Sequence, residues 1–188
     1  DDLQCAFASM EGFVRAKKAD CIAVHCVLDN EEVGSGTKQG AASTFLFDTL
    51  IRVHEALGYD GGDYRVHLAD SFMISADNAH AVHPNYTEKA DPTNRPYLNE
   101  GIVLKFNANQ KYCTDAVSAA MFRDLCKRAD VPVQTFTNRS DMAGGSTLGN
   151  ISNTQVALNT VDIGLPQLAM HSPYETAGVK DTEYLVRA

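Results

Sequence analysis

The sequence lacks the features that mark nucleic-acid-binding, membrane-spanning and exported proteins. Its Lys and Arg residues form no long basic run, and 16 of them against 24 Asp and Glu residues give a formal net charge of -8, which argues against a phosphate-binding surface. No apolar stretch approaches the roughly 20 residues of a membrane span, and no charged and then apolar leader opens the chain. We therefore expect a cytoplasmic protein that binds neither nucleic acid nor membrane.

Paired cysteine motifs are also missing. The five cysteines, Cys5, Cys21, Cys26, Cys113 and Cys126, are an odd number and include no Cys-x-x-Cys pair. Free, mostly buried thiols in a reducing compartment are the preferred interpretation. The chain does have 188 residues, 44% hydrophobic and 21% charged, which suits one globular domain with a sizeable core.

Strand and helix patterns alternate along the chain. Short apolar runs predict strands at 21–28, 71–77, 102–106, 133–137 and 158–163. Helical spacing predicts helices at about 3–14, 38–57, 114–129 and 176–187, with shorter helical pieces at 64–69 and after Gly144. The alternation predicts an α/β fold, a three-layer α/β/α arrangement with a mainly parallel, mixed sheet. The segment 78–100 is long for a connection and is interpreted as an active-site loop.

An adjacent pair of glutamates, Glu31 and Glu32, follows the first predicted strand. Open α/β sheets bind their ligands at the carboxyl ends of strands. Because adjacent side chains leaving a strand point in different directions, one glutamate could bind a metal while the other carries a proton. Two adjacent glutamates more often belong to an ordinary acidic turn than to an active site. Other metal-binding or catalytic residues in the sequence must therefore decide between the two explanations.

Other metal-capable side chains occur at predicted strand ends or in the loops beyond them. In chain order, the whole set is Asp1, Glu31, Glu32, Asp77, His80, His83 and His171. Carboxylates and imidazoles suit zinc, and two zinc ions sharing a carboxylate would activate water and polarise a carbonyl. Taken singly, each residue has a simpler role as a helix cap, a turn residue or a polar loop residue.

Five ordered segments together carry a family resemblance. They are DNEEVGS at 29–35, ISADNAHAVHPNY at 74–86, NANQKY at 107–112, SDMAGGSTLG at 140–149 and PQLAMHS at 166–172. This set closely resembles the aspartyl aminopeptidase and vacuolar aminopeptidase I family of dinuclear zinc exopeptidases. The resemblance implies a zinc-exopeptidase-like fold, hydrolysis of the amino-terminal residue of a peptide, two zinc ions with manganese or cobalt as alternatives, and a large homo-oligomer.

The resemblance also implies roles for individual residues. Glu31 would be the general base, and the metal ligands would be Asp1 as the bridge, Glu32, Asp77 and His171. The substrate contacts would be His80, His83, Lys105, Tyr112, Gly145 and Ser146. The ammonium of Lys105 would favour Asp or Glu as the first residue by charge pairing, although a single contact leaves a neutral preference open.

The sequence departs from the family in two respects. No His has Asp two positions later, so the family's upstream His-x-Asp motif is missing, and its dimerisation domain is missing too. We therefore expect residues 1–188 to be the carboxyl-terminal portion of a zinc aminopeptidase catalytic domain, without its amino-terminal strands. One metal would keep Asp1, Glu32 and His171, and the other only Asp1 and Asp77. Two other functions stay open: a non-catalytic lobe kept for assembly or binding, and a related zinc deacylase.

Overall fold

A computed structural model describes residues 1–17 and 19–188 of the chain. The helices are α1 (Leu3–Arg15), α2 (Phe45–Ala56), α3 (Gly61–Ala69), α4 (Ala116–Arg128), α5 (Leu148–Ser152) and α6 (Val179–Arg187). The strands are β1 (Phe72–Ala76), β2 (Ala79–His80), β3 (Ile102–Phe106), β4 (Val133–Thr137), β5 (Asn159–Gly164), β6 (Pro166–Leu168) and β7 (Thr176–Ala177). A single-turn 3-10 helix covers Thr87–Lys89.

The strands form two sheets. The main sheet has the order β1-β5-β3-β4, in which β1 pairs with β5 and β3 with β4 in parallel, while β3 and β5 run antiparallel. The smaller sheet has the order β2-β6-β7, with a parallel and an antiparallel pair. The predicted α/β fold with a mixed sheet is confirmed.

The main hydrophobic core lies against one face of the larger sheet. Three helices and two strands supply its buried side chains, which include Cys5, Ala8, Ile102, Leu104, Phe122, Cys126, Val161, Ile163 and Leu185. Because side chains alternate along a strand, Val103 and Asp162 face the opposite side, where α5 packs on β1 and β5. Helices therefore cover both faces of the sheet, as the three-layer prediction requires.

Local sequence signals explain where α4 begins. The carboxylate of Asp115 accepts a hydrogen bond from the backbone N–H of Ser118 at 2.8 Å, and the Ser118 hydroxyl accepts one from the backbone N–H of Asp115 at 3.0 Å. This reciprocal cap satisfies two amide groups that the first helical turn leaves without partners. The helix predicted at 114–129 is therefore confirmed, with its first residue at Ala116.

The prediction of a strand at 21–28 was wrong. This apolar run lies outside both sheets, and Ile22 and Val27 are 61% and 65% exposed. Among the described residues no strand pairs with it, and a strand needs a neighbour to complete its ladder of hydrogen bonds. Instead α1 contacts the run through His25, whose Nε2 lies 3.0 Å from Oγ of Ser9 and whose ring packs on Phe13.

Two helix predictions extended too far toward the amino terminus. The stretch 38–44 forms turns, in which the backbone N–H of Ala42 donates to the carbonyl of Ser35, and α2 begins only at Phe45. Residues Thr176 and Ala177 belong to β7, because they pair with β6, so α6 begins at Val179. In both cases contacts outside the segment outweigh its helical spacing.

The loop and cysteine predictions can be compared with the same structure. Segment 78–100 is mostly irregular, as expected, apart from β2 and the 3-10 turn. All five cysteines are free, although only Cys5 and Cys126 are fully buried and Cys21 is exposed. No helix in the described part of the chain combines the length and the hydropathy that crossing a membrane requires.

Candidate metal centre and active site

Three of the predicted metal ligands come together although they lie far apart in the chain. Asp1 precedes α1, Glu32 lies in the turn after the exposed apolar run, and His171 follows β6. Nε2 of His171 lies 3.1 Å from Oε2 of Glu32 and 3.5 Å from Oδ2 of Asp1. One ligand atom from each residue lies within 4.8 Å of the other two. Within residues 1–17 and 19–188, this is the one such group of three or more metal-binding side chains.

The turn that carries His171 is held by a residue that the sequence analysis did not single out. His171 has a φ of 67°, and Ala169 has a φ of 55°, so the backbone turns sharply twice in the left-handed region. Oε1 of Glu175 accepts a hydrogen bond from the backbone N–H of His171 at 2.6 Å. Glu175 therefore stabilises the conformation that directs the imidazole toward Asp1 and Glu32.

The three side chains fit a zinc ion. Two carboxylate oxygens and one imidazole nitrogen are donors that zinc prefers, and three protein ligands leave a further position open, as in catalytic zinc sites. The side chain of Asp1 is only 6% exposed, whereas those of Glu32 and His171 are 54% and 61% exposed. The site is therefore anchored on its buried side and open toward solvent on the other.

The fourth predicted ligand, Asp77, has a different partner. Asp77 follows β1, and its Oδ2 lies 3.5 Å from Nζ of Lys105 on β3, with both side chains largely buried. The attraction between the two charges offsets part of the cost of removing each of them from water. Asp77 thus stands outside the three-residue cluster and is neutralised by the very lysine that was predicted to contact substrate.

Close packing of the backbone fixes the position of Asp77. A Cβ built on Gly164, at the end of β5, would lie 2.1 Å from the carbonyl oxygen of Asp77 and 3.0 Å from the backbone nitrogen of Ala79. Only a residue without a side chain lets β5 approach the segment that carries Asp77 this closely.

Gly164→Ala is therefore expected to destabilise the protein by about 1–3 kcal/mol, because the added methyl group must push the Asp77 backbone aside. Urea unfolding of the intact protein, followed by circular dichroism, measures the change. The control is Gly61→Ala, because a Cβ at Gly61 meets no atom within 4 Å. Equal unfolding midpoints for the two variants would contradict this prediction.

Glu31 directly precedes the cluster residue Glu32 on the same turn. Its side chain is half-buried, and burial raises its pKa, with further contributions from the negative charges of Asp77 and Glu32. A carboxylate with a raised pKa holds a proton more readily, which suits a group that must accept a proton and later release it.

Asp2 is a second acidic residue of the site that the sequence analysis did not assign to it. Burial and the neighbouring charge of Asp77 raise the pKa of Asp2 to about 7. Its Oδ1 is buried without a hydrogen-bond partner. The position directly after Asp1 is the only sequence signal that could have indicated this residue.

The two histidines of the long loop occupy different surroundings. Desolvation lowers the pKa of His80, and the positive charges of Lys105 and His171 act in the same direction. The ring of His83 packs against Tyr86 with 5.1 Å between centroids, and its Nδ1 accepts a hydrogen bond from the backbone of Asn85. Among the described residues, no hydrogen bond joins His83 to the metal cluster.

The other predicted substrate residues lie on the loops after β3 and before α5. Tyr112 is buried, and Nζ of Lys105 lies 5.5 Å from the centre of its ring. Ser146 is exposed, and its hydroxyl donates to Oδ1 of Asn150 at 2.7 Å, while Gly145 is open to solvent. The structure thus joins Tyr112 to the Asp77–Lys105 pair and places Gly145 and Ser146 on a neighbouring loop.

Comparisons with known proteins identify the family of the chain. The sequence profile described as aminopeptidase I zinc metalloprotease (M18) matches residues 1–188. A protein of Clostridium acetobutylicum named probable M18 family aminopeptidase 2 is 49% identical over 188 residues, which is 100% of this chain and 43% of that protein. A probable aspartyl aminopeptidase of Ricinus communis is 39% identical over 191 residues, 98% of this chain and 39% of that protein.

Solved structures give the same result for the fold. The mApe1 dodecamer of S. cerevisiae superposes with a TM-score of 0.88 at 31% identity, over 100% of this chain and 42% of that one. The present chain therefore spans less than half the length of the relatives that it matches.

Proposed function

Because the chain belongs to the M18 family of aminopeptidase I zinc metalloproteases, we propose that the intact protein hydrolyses the amino-terminal residue from peptides. The observation that carries this proposal is the convergence of Asp1, Glu32 and His171 on one point, with Glu31 next to it in the chain. The relatives named above are called aminopeptidases. A second candidate, a non-catalytic lobe, would need no proton carrier beside a ligand cluster.

In this proposal Asp1, Glu32 and His171 hold one zinc ion, and Asp77 contributes to a second. Zinc at such a site supplies Lewis acidity, which acidifies water and polarises a carbonyl group. Only Oδ2 of Asp77 is paired with Lys105, so its other carboxylate oxygen can bind a metal while that pair persists. A metal at Asp77 would also weaken the attraction between Asp77 and Lys105, which would leave the buried ammonium better able to bind an acidic group.

Glu31 carries the proton of the reaction. Its carboxylate takes a proton from the attacking water and returns it to the amine that leaves when the peptide bond breaks. The raised pKa of Glu31 favours the protonated form that this second step needs. Because Glu31 and Glu32 are adjacent, the proton carrier and a metal ligand sit on one turn and keep a constant spacing.

The substrate preference is expected to follow from Lys105. The Lys105 side chain is only 3% exposed, and a buried ammonium group pairs strongly with a carboxylate, so we propose that Asp or Glu is preferred as the first residue of the peptide. Tyr112, whose ring lies beside the same ammonium, would form one wall of this pocket, and the loop with Gly145 and Ser146 would form another.

Lys105→Met is expected to lower kcat/KM for Asp-initiated peptides by about tenfold to a hundredfold, because the charged hydrogen bond contributes roughly 1.5–3 kcal/mol. Hydrolysis of Leu-initiated peptides should change much less. Release of free amino acid from Asp-Ala and Leu-Ala by both forms of the intact protein measures the difference. An equal loss for both substrates would remove the basis for an acidic preference, and cleavage of acetylated amino acids alone would favour a deacylase.

Three further expectations belong with this function. We propose a homo-oligomeric assembly, because the similar S. cerevisiae protein is described as a dodecamer. We also keep two predictions made from the sequence: residues 1–188 form the carboxyl-terminal portion of a longer catalytic domain, and the protein is cytoplasmic.

A further inference from the structure

A buried aspartate outside the metal cluster joins three parts of the structure. Asp162 lies on β5 and is fully buried. Its Oδ2 accepts hydrogen bonds from the backbone N–H of Cys113 at 2.6 Å and from the Cys113 thiol at 2.9 Å. Its Oδ1 accepts one from the hydroxyl of Thr147 at 2.8 Å. Neither the metal cluster nor the proton-transfer step uses this carboxylate.

The two donors lie directly beside residues of the proposed substrate pocket. Cys113 follows Tyr112, and Thr147 follows Ser146. A hydrogen bond from the backbone N–H of Thr147 to the carbonyl of Lys111, at 3.4 Å, joins the two loops to each other. The carboxylate of Asp162 thus holds both loops against the same strand.

The strand backbone at Asp162 strengthens this connection. Its N–H donates to the hydroxyl of Thr114 at 2.8 Å, and that hydroxyl lies 3.3 Å from the Asp162 carbonyl. On the other side, a Cβ at Gly149 would lie 2.5 Å from Oδ1 of Asp162. Helix α5 therefore approaches the carboxylate so closely at Gly149 that a residue with a side chain would not fit there.

We propose that Asp162 is a positioning residue that sets the distance between the two walls of the substrate pocket, the Tyr112 loop and the Ser146 loop. The proposal rests on the proposed function, since it concerns the pocket of that same site. A carboxylate suits this task because its two oxygens can accept several hydrogen bonds at once from different directions. Removing it leaves the N–H of Cys113 and the hydroxyl of Thr147 buried without their acceptor, so each loop would shift to find another.

Asp162→Ala in the intact protein is expected to raise KM for Asp-Ala about tenfold, as a lost buried acceptor predicts, with a smaller change in kcat. Asp162→Asn should recover most of the wild-type KM, because the amide oxygen can accept from Cys113 while the amide nitrogen donates to Thr147. Hydrogen exchange should rise at residues 111–114 and 144–150 together in the alanine variant. A merely structural residue would lower the melting temperature without this shift in KM.

Thr147→Val provides a second test in case Asp162→Ala does not fold, because it removes only one hydroxyl group. Its matched control is Thr160→Val, since Thr160 is a similarly buried residue, 4% against 2% exposed, whose hydroxyl bonds Asn153 and the carbonyl of Leu158. We expect Thr147→Val to raise KM several-fold and Thr160→Val to leave it unchanged. Equal KM values for the two variants would overturn the proposal.

The experiments distinguish a failure of the positioning role of Asp162 from a failure of the proposed peptidase function. If the wild-type protein cleaves no peptide, the proposed function fails. The role of Asp162 is then decided by calorimetric binding of free L-aspartate, which Asp162→Ala must weaken while Thr160→Val does not. Equal binding by these variants, or no binding by the wild-type protein, would overturn the positioning role as well.

Discussion

Glu31→Gln should reduce kcat for peptide hydrolysis by the intact protein about a hundredfold to ten-thousandfold, the range that a positioned proton carrier contributes. The amide keeps the size of the side chain but cannot accept a proton from water. Because Asp1, Glu32 and His171 are unchanged, zinc content should stay at the wild-type value. Steady-state hydrolysis of Asp-Ala, together with elemental analysis of the same dialysed sample, tests both statements.

The control for this variant is Glu55→Gln, which removes a comparable charge from an exposed position on α2 and should leave kcat unaltered. If Glu31→Gln kept wild-type activity, Glu31 would not be the proton carrier. If the wild-type protein and the variant were both inactive while zinc was present, the non-catalytic alternative would be favoured.

His171→Ala is expected to weaken zinc binding by more than about a hundredfold, since even residues that merely orient a ligand contribute 10–100-fold. The substitution removes the only nitrogen ligand of the cluster. The carboxylates of Asp1 and Glu32 then remain as the two ligands for zinc. Competition with a chromogenic chelator measures the zinc affinity, and peptide hydrolysis should fall with the zinc content.

His67→Ala is the matched control for the histidine variant. His67 lies on α3, where its Nδ1 is 3.0 Å from Nε2 of His54, well apart in the chain from the cluster. Its loss should not change zinc binding. Equal affinities for wild type and His171→Ala would show that the cluster is not the zinc site.

Much of the fold could be predicted from periodicity alone. The strands at 102–106 and 133–137 have the predicted bounds, and the helix at 114–129 was placed to within two residues. The run 21–28 shows the limit of this reasoning. It has the composition of a buried strand, but its backbone has no strand partner among the described residues, and composition does not supply a partner.

The candidate site, too, could be predicted from the sequence only in part. The segment DNEEVGS and its four companions pointed to the family, and the family indicated Asp1, Glu31, Glu32, Asp77 and His171. Spacing along the chain could not have chosen them, because each taken singly had an ordinary structural explanation. The structure brings three together and sets Asp77 apart with Lys105.

By itself, the sequence determined the α/β class of this protein, most of its helices and strands, its negative charge and its membership of a zinc aminopeptidase family. Only the tertiary structure decided which acidic residues lie together with His171, that Lys105 is buried against Asp77, and that Asp162 holds two loops. The reason is physical. Periodicity is a property of neighbours along the chain, whereas ligand geometry, burial and hydrogen bonding depend on residues that folding brings together from separate parts of the chain.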